Sequence, residues 1–168
     1  MPIATRPVPR PTPDTPRELA RFVAALKTGS LGPTGYLLLL GLRPLDTPAL
    51  LQTVRDGLAF TALERFQHAL GFSPEQVTRL VQLAPRTLAR RRQDGRLRPD
   101  ESDRLLRAAR VMARALQLFN GKWPAARRWL ETAQPTLGGV APVELAETEL
   151  GAREVEIALG RIEHGVFA

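Results

Sequence analysis

Ser73-Pro-Glu-Gln-Val-Thr-Arg-Leu-Val-Gln-Leu-Ala-Pro-Arg-Thr-Leu-Ala-Arg-Arg-Arg-Gln-Asp94 decides the fold. Ser73 followed by Pro74 and Gln76 is a helix start: a cap oxygen, a first-turn proline, and a side chain that reaches back to the cap N–H. Val77, Leu80 and Val81 give that helix one apolar side. Gln82-Leu83-Ala84 is a tight turn, and Pro85 opens a second helix anchored by Leu88, with Ala84 and Ala89 small enough for close packing. Upstream, Thr61 to Leu70 has Leu63, Phe66 and Leu70 on one side and is broken by Gly71. The spacing over 61–94 predicts a helix-turn-helix. Its third helix leaves Arg86, Thr87, Arg90 and Arg91 to project outward, which suits a helix that reads the major groove with its N-terminal residues. Arg86 and Arg90, one turn apart, match the guanine O6/N7 edge, and Thr87 a thymine methyl or a phosphate. Arg91, Arg92 and Arg96 are expected on phosphates.

Charge is concentrated around this stretch. The chain has 168 residues and a net charge of +7. Residues 79–114 hold eleven arginines against four acids, a local +7, whereas residues 131–168 hold seven glutamates against two arginines, a local −5. A basic middle calls for a polyanion and an acidic end for a basic partner.

The rest of the chain reads all-α, with about eight or nine helices. Residues 1–13 carry five prolines and almost nothing to bury, so a disordered or extended tail is expected there. Thr15-Pro16-Arg17-Glu18 and Thr47-Pro48 repeat the cap-proline pattern, and Pro85, Pro99 and Pro142 fit first turns behind the poor caps Ala84, Arg98 and Ala141. Gly29, Gly57, Gly71, Gly95, Gly121 and Gly165 mark helix ends. Tyr36 to Leu42 fits a short buried strand or a helix equally well. In the helix from about Pro99 to Phe119, Leu105, Ala109, Met112, Leu116 and Phe119 share a stripe. Arg104, Arg107, Arg110 and Arg114 lie opposite, facing solvent or a partner. A last helix runs from about Glu149 to His164, with Val155, Leu159 and Ile162 inward and Ile157 outward.

Several classes of activity are excluded or poorly supported. There is no cysteine, so disulfides, zinc fingers and thiol catalysis are out. The two histidines, His68 and His164, are far apart. Gly138-Gly139 lacks the lysine of a phosphate loop and reads as a turn. No catalytic residues, metal ligands or cofactor are expected. The longest apolar run, Tyr36 to Leu42, is far short of the roughly 20 residues of a membrane helix. A soluble, cytoplasmic protein without membrane contact is expected.

Five further segments carry a resemblance. They are Arg96-Leu-Arg-Pro-Asp-Glu-Ser-Asp-Arg-Leu-Leu-Arg107, Ala126-Arg-Arg-Trp-Leu130, Leu137-Gly-Gly-Val-Ala-Pro142, Thr148-Glu-Leu-Gly151 with Val155, and Gly160-Arg-Ile-Glu-His-Gly165. Together with Arg86-Thr-Leu at the recognition helix they resemble the Xre/MbcA/ParS antitoxin family over about residues 55–168. The resemblance implies an antitoxin of a type II toxin–antitoxin module. Its partner would be a RES-domain toxin that degrades NAD⁺, inhibited by blocking its active site. It further implies a homodimer that binds operator DNA and represses its own operon. The implied organisation is a tail at 1–13, a helical region at 14–97 with the helix-turn-helix at about 61–94, and a helical toxin-binding domain at 98–168. The expected neutralising surface is Glu154, Ile157, Arg161, Glu163, Gly165, Val166, Phe167 and the terminal Ala168, an acidic end set against a basic dinucleotide pocket. The alternative is a stand-alone helix-turn-helix regulator whose C-terminal half only dimerises.

Overall fold

The computed structural model describes residues 16–165. The expected tail at 1–13 and the C-terminal Val166, Phe167 and Ala168 lie outside the described residues. Among the described residues there are nine α-helices and two 3-10 turns, with two isolated β-bridges and no strand. The helices are α1 (Arg17–Lys27), α2 (Thr47–Asp56), α3 (Phe60–Leu70), α4 (Pro74–Val81), α5 (Pro85–Asp94), α6 (Pro99–Leu118), α7 (Trp123–Glu131), α8 (Pro142–Leu145) and α9 (Glu149–Glu163).

Local chemistry sets the helix starts. Ser73 Oγ accepts from Gln76 N at 3.2 Å and Ser73 N donates to Gln76 Oε1 at 2.9 Å, the full capping box at α4. Two starts shift by one residue. At α2 the cap is Asp46, which accepts from Ala49 N at 2.9 Å, so Thr47 and Pro48 both sit inside the first turn. At α1 the flanking residue is Pro16, with no side-chain cap. Ala84 and Ala141 provide none either. At α6 the reach-back comes from Glu101, whose carboxylate accepts from Arg98 N at 2.8 Å.

Tyr36 to Leu42 is neither strand nor α-helix. Gly35–Leu40 forms a 3-10 turn with Leu37, Leu38, Leu39 and Leu40 all buried, closed by Gly41 at φ 71°. This turn packs on α1, α3 and α6. With Phe22 of α1 also fully buried, residues 17–40 form part of the main core.

α6 is the central strut. It packs on α2, α4, α7, α9 and the first 3-10 turn. The expected apolar stripe is buried at Leu105, Ala109, Met112 and Leu116. The arginine side is turned largely onto the molecule itself: Arg107 is buried and Arg104, Arg110 and Arg114 are half-buried. Arg104 donates to the carbonyls of Val81 and Gln82, closing the end of α4. Arg107, Arg110 and Arg114 face α9.

Candidate functional site

α5 is short, and its residues divide by face. Leu88 is half-buried against the core. Arg86, Ala89, Arg90 and Gln93 are exposed, and with the half-buried Thr87 they line one shallow groove on the outer side of the helix. The expected base-reading trio therefore sits together, joined by Gln93 and by Ala89, which like Ala84 stands exposed instead of in the close packing expected of it, because Leu88 alone carries the inward contact of this turn. Ala89 offers a methyl-sized surface, and Gln93 an amide one turn beyond Arg90. Both side-chain types contact base edges in major grooves.

The other three arginines behave differently. Arg91 does not project outward: it is 4 % exposed. Its Nε donates to both oxygens of Glu101, at 2.7 and 3.0 Å, and its Nη1 to Asp94 at 3.1 Å. Burial disfavours the charged Glu101 carboxylate. The hydrogen bonds from Arg91 and from Arg98 N–H outweigh it and hold the carboxyl below the usual glutamate value. Arg91 is thus an internal brace that fixes α5 to the first turn of α6. Arg92 lies 5.4 Å over the Phe60 ring and pairs with Glu64 at 3.4 Å, yet stays exposed. Arg96 donates to the carbonyls of Asp56 and Gly57 at 2.8 and 3.0 Å, joining the end of α5 to α2 while remaining exposed. Beside it, Leu97 N donates to Leu58 O and Phe60 N to Gly95 O, which clips both ends of the helix-turn-helix together.

Part of the acidic end is spent within the molecule. Arg110 Nε donates to Glu156 at 2.6 Å and its Nη2 lies 3.5 Å from Glu149. Arg107 donates to Glu147 O at 2.9 Å and lies 4.0 Å from Glu149. Arg114 pairs with Glu163. Burial opposes the charge on Arg110, but the Glu156 bond and the Glu149 charge outweigh it, raising its pKa. Glu149, Glu156 and Glu163 recur every seven residues, so they form one stripe of α9 facing the arginines of α6. Three of the seven acids of the C-terminal end therefore belong to an internal ladder. Glu163, expected on a partner, turns back on Arg114.

Glu154, Ile157 and Arg161 do stand exposed on a separate face of α9, and Gly165 is exposed beyond its end. Leu150 shares that face, seven residues before Ile157. It is 74 % exposed and Ile157 47 %. Behind them Val155 and Leu159 are buried. The start of α9 is fixed by Thr148, whose Oγ1 accepts from Gly151 N at 3.0 Å. Gly151 is required there, because a Cβ would lie 2.0 Å from Leu145 O. The Gly138-Gly139 turn spends its N–H groups on Pro135 O and Gln134 O, the behaviour of a structural turn. Among the described residues no cluster of His, Asp or Glu is arranged to hold a metal ion. No helix there is long and apolar enough to cross a membrane.

These features define a helix-turn-helix protein with a second helical half that exposes a mixed apolar ridge. Residues 49–110 match the family model of the antitoxin Xre-like helix-turn-helix domain. Residues 114–165 match that of the antitoxin Xre/MbcA/ParS C-terminal toxin-binding domain. The chain is 37 % identical over 120 residues to an "Antitoxin Xre" of Yersinia enterocolitica, covering 71 % of this chain and 81 % of that one. It is 35 % identical to the "Antitoxin Xre" of Photorhabdus laumondii, covering 72 % and 82 %. It is 26 % identical to a "Prs ADP-ribosylating antitoxin" of Sphingobium, covering 81 % and 89 %. The chain belongs to the Xre antitoxin family, whose matched members are named as antitoxins. Its two matched domains imply DNA and a toxin as partners.

Proposed function

We propose that the chain neutralises a RES-domain, NAD⁺-degrading toxin by occluding its active site, and that as a homodimer it binds operator DNA to repress its own operon. The observation that carries this reading is the separation of two exposed faces on one scaffold. Arg86, Arg90 and Gln93 stand on α5, which Arg91 and Glu101 brace against α6. Leu150, Glu154, Ile157 and Arg161 stand on α9, which the arginine–glutamate ladder holds on the same α6. Arg92 and Arg96 flank the first face as phosphate contacts. The second face replaces the acidic surface as the toxin contact, since its ridge is apolar with one charge of each sign beside it. The name of the Sphingobium relative couples an antitoxin with ADP-ribosylation, a chemistry that also consumes NAD⁺. That supports an NAD⁺-using toxin. A purely dimerising C-terminal half is disfavoured by the match to a toxin-binding domain. A chain that works on operator DNA works in the cytoplasm.

The test is co-purification with the product of the adjacent reading frame, followed by an NAD⁺-consumption assay titrated with this chain. Inhibition complete at a fixed whole-number ratio is expected. An adjacent product that neither binds nor consumes NAD⁺ would overturn the toxin assignment.

A further inference from the structure

The last turn of α5 is held on three of its four side chains. Arg91 is buried on Glu101 and also donates to Asp94 at 3.1 Å. Arg92 lies over the Phe60 ring and pairs with Glu64. Behind them Gly95 N donates to Arg92 O and Phe60 N to Gly95 O, which ties the backbone of this turn to the start of α3. Gln93 is the exception. It is exposed, and its amide has no hydrogen-bond partner among the described residues. A free amide on a braced backbone suits a directional contact, because only its side-chain torsions remain to be fixed on binding.

Gln93 shares a stripe with Arg86 and Arg90. Steps of four and seven residues place the three within about 60° of one another around the helix. All three line the same shallow groove, and Ala89, one turn before Gln93, is too short to cover the amide. The chemistry changes along the stripe. The guanidiniums of Arg86 and Arg90 only donate, which matches the two acceptors of guanine. An amide offers one donor and one acceptor side by side. The base whose major-groove edge offers the complement is adenine: Nε2 donates to N7 while Oε1 accepts from N6. A phosphate uses only the donor half of that pair, and the charged Arg92 and Arg96 already flank the groove for phosphates. Seven residues of helix rise about 10.5 Å, close to three base-pair steps of about 3.4 Å, and Arg90 falls between the two ends.

We propose that Gln93 is a specificity-determining residue that selects adenine, about three base pairs from the guanine read by Arg86 and beyond the one read by Arg90. This deepens the operator reading given above and rests on it.

The test is affinity selection from DNA duplexes randomised over one helical turn, using the full chain and its Gln93→Ala, Gln93→Arg and Arg86→Ala variants. Circular dichroism melts serve as the folding control, and all three should melt with the parent. The parent is expected to enrich a motif with adenine about three pairs from a guanine. Gln93→Ala should lose the preference at the adenine position alone, about tenfold or more in affinity relative to the base-substituted duplexes. Gln93→Arg should enrich guanine at that position instead. Arg86→Ala should relax the distant guanine and keep the adenine. An adenine preference retained in Gln93→Ala overturns the proposal. So does a loss of affinity spread equally over all sequences, the mark of a phosphate contact, and so does relaxation at a position that is not adenine. A parent that enriches no motif overturns the operator reading itself, and this proposal with it; that outcome shows in the parent alone, whereas the others require an enriched parental motif.

Discussion

Glu101→Gln isolates the brace beneath the recognition helix. The Arg91 and Glu101 side chains are each 5 % exposed, and Nε lies 2.7 and 3.0 Å from the two carboxylate oxygens. Glutamine keeps one acceptor but turns an NH₂ donor toward the guanidinium. Asp94 remains as a counter-charge, though half exposed. Breaking a buried pair from one side costs about 3–5 kcal/mol, and the residual Asp94 contact places this change near ~3 kcal/mol. For a chain of this size that lowers the melting temperature by roughly 6–12 °C. The assay is calorimetry of the full chain, with Arg90→Ala beside it. Arg90→Ala, on an exposed face, should melt within about 2 °C of the parent and lose operator DNA. Acid should affect the pair in a defined direction. The folded-state pKa of Glu101 lies below the ordinary 4.5. Its stabilisation is therefore complete above that value and lost as pH falls through the lower, folded one. Parent and Glu101→Gln should converge in stability on acidification. A Glu101→Gln melt equal to the parent's would refute the brace. So would an Arg91→Ala variant of unchanged melting temperature that has lost DNA.

Three other outcomes are expected. Gly151→Ala, which sets a Cβ against Leu145 O, should lower stability by at least ~1–3 kcal/mol, read by denaturant melts; a neutral result would mean that the α8–α9 junction yields freely. Leu150→Glu with Ile157→Glu should weaken toxin neutralisation without shifting the melting temperature, checked by titrating NAD⁺ consumption. Operator affinity should fall steeply with salt, and each of Arg92→Ala and Arg96→Ala should reduce the slope by about 0.9 if the removed side chain contacts a phosphate; an unchanged slope removes that arginine from the phosphate set.

The helix-turn-helix was legible because its signals are local. The Ser73–Gln76 box, the Pro85 start and the Leu88 anchor all lie within one or two turns of what they control. Arg91 was misread for a reason partly visible in the sequence: it lies three residues after Leu88 and so shares the inward side. Its partner Glu101 belongs to the next helix, and only the fold brings the two together. The acidic end was misread similarly. The seven-residue spacing of Glu149, Glu156 and Glu163 marks a stripe, but the α6 arginines that receive it stand some forty to fifty positions away in the chain. Leu150 lies inside the Thr148–Gly151 motif, and its seven-residue spacing to Ile157 places both on one face. Tyr36 to Leu42 was undecidable because four consecutive buried leucines carry no period. The ladder also affects experimental design. Removing residues beyond 150 would strip Val155 and Leu159 from the core, so point changes on the exposed face test toxin binding more cleanly than truncation.

In the proposed function, two separable faces on one scaffold serve two partners. The most direct measurement takes Arg86→Ala with Arg90→Ala and Leu150→Glu with Ile157→Glu, and measures operator binding and toxin inhibition for each. The first pair should lose operator binding and keep full inhibition, and the second should do the reverse, both with parental melting temperatures. A well-folded variant that loses both activities together, or a pair that loses neither, would contradict it.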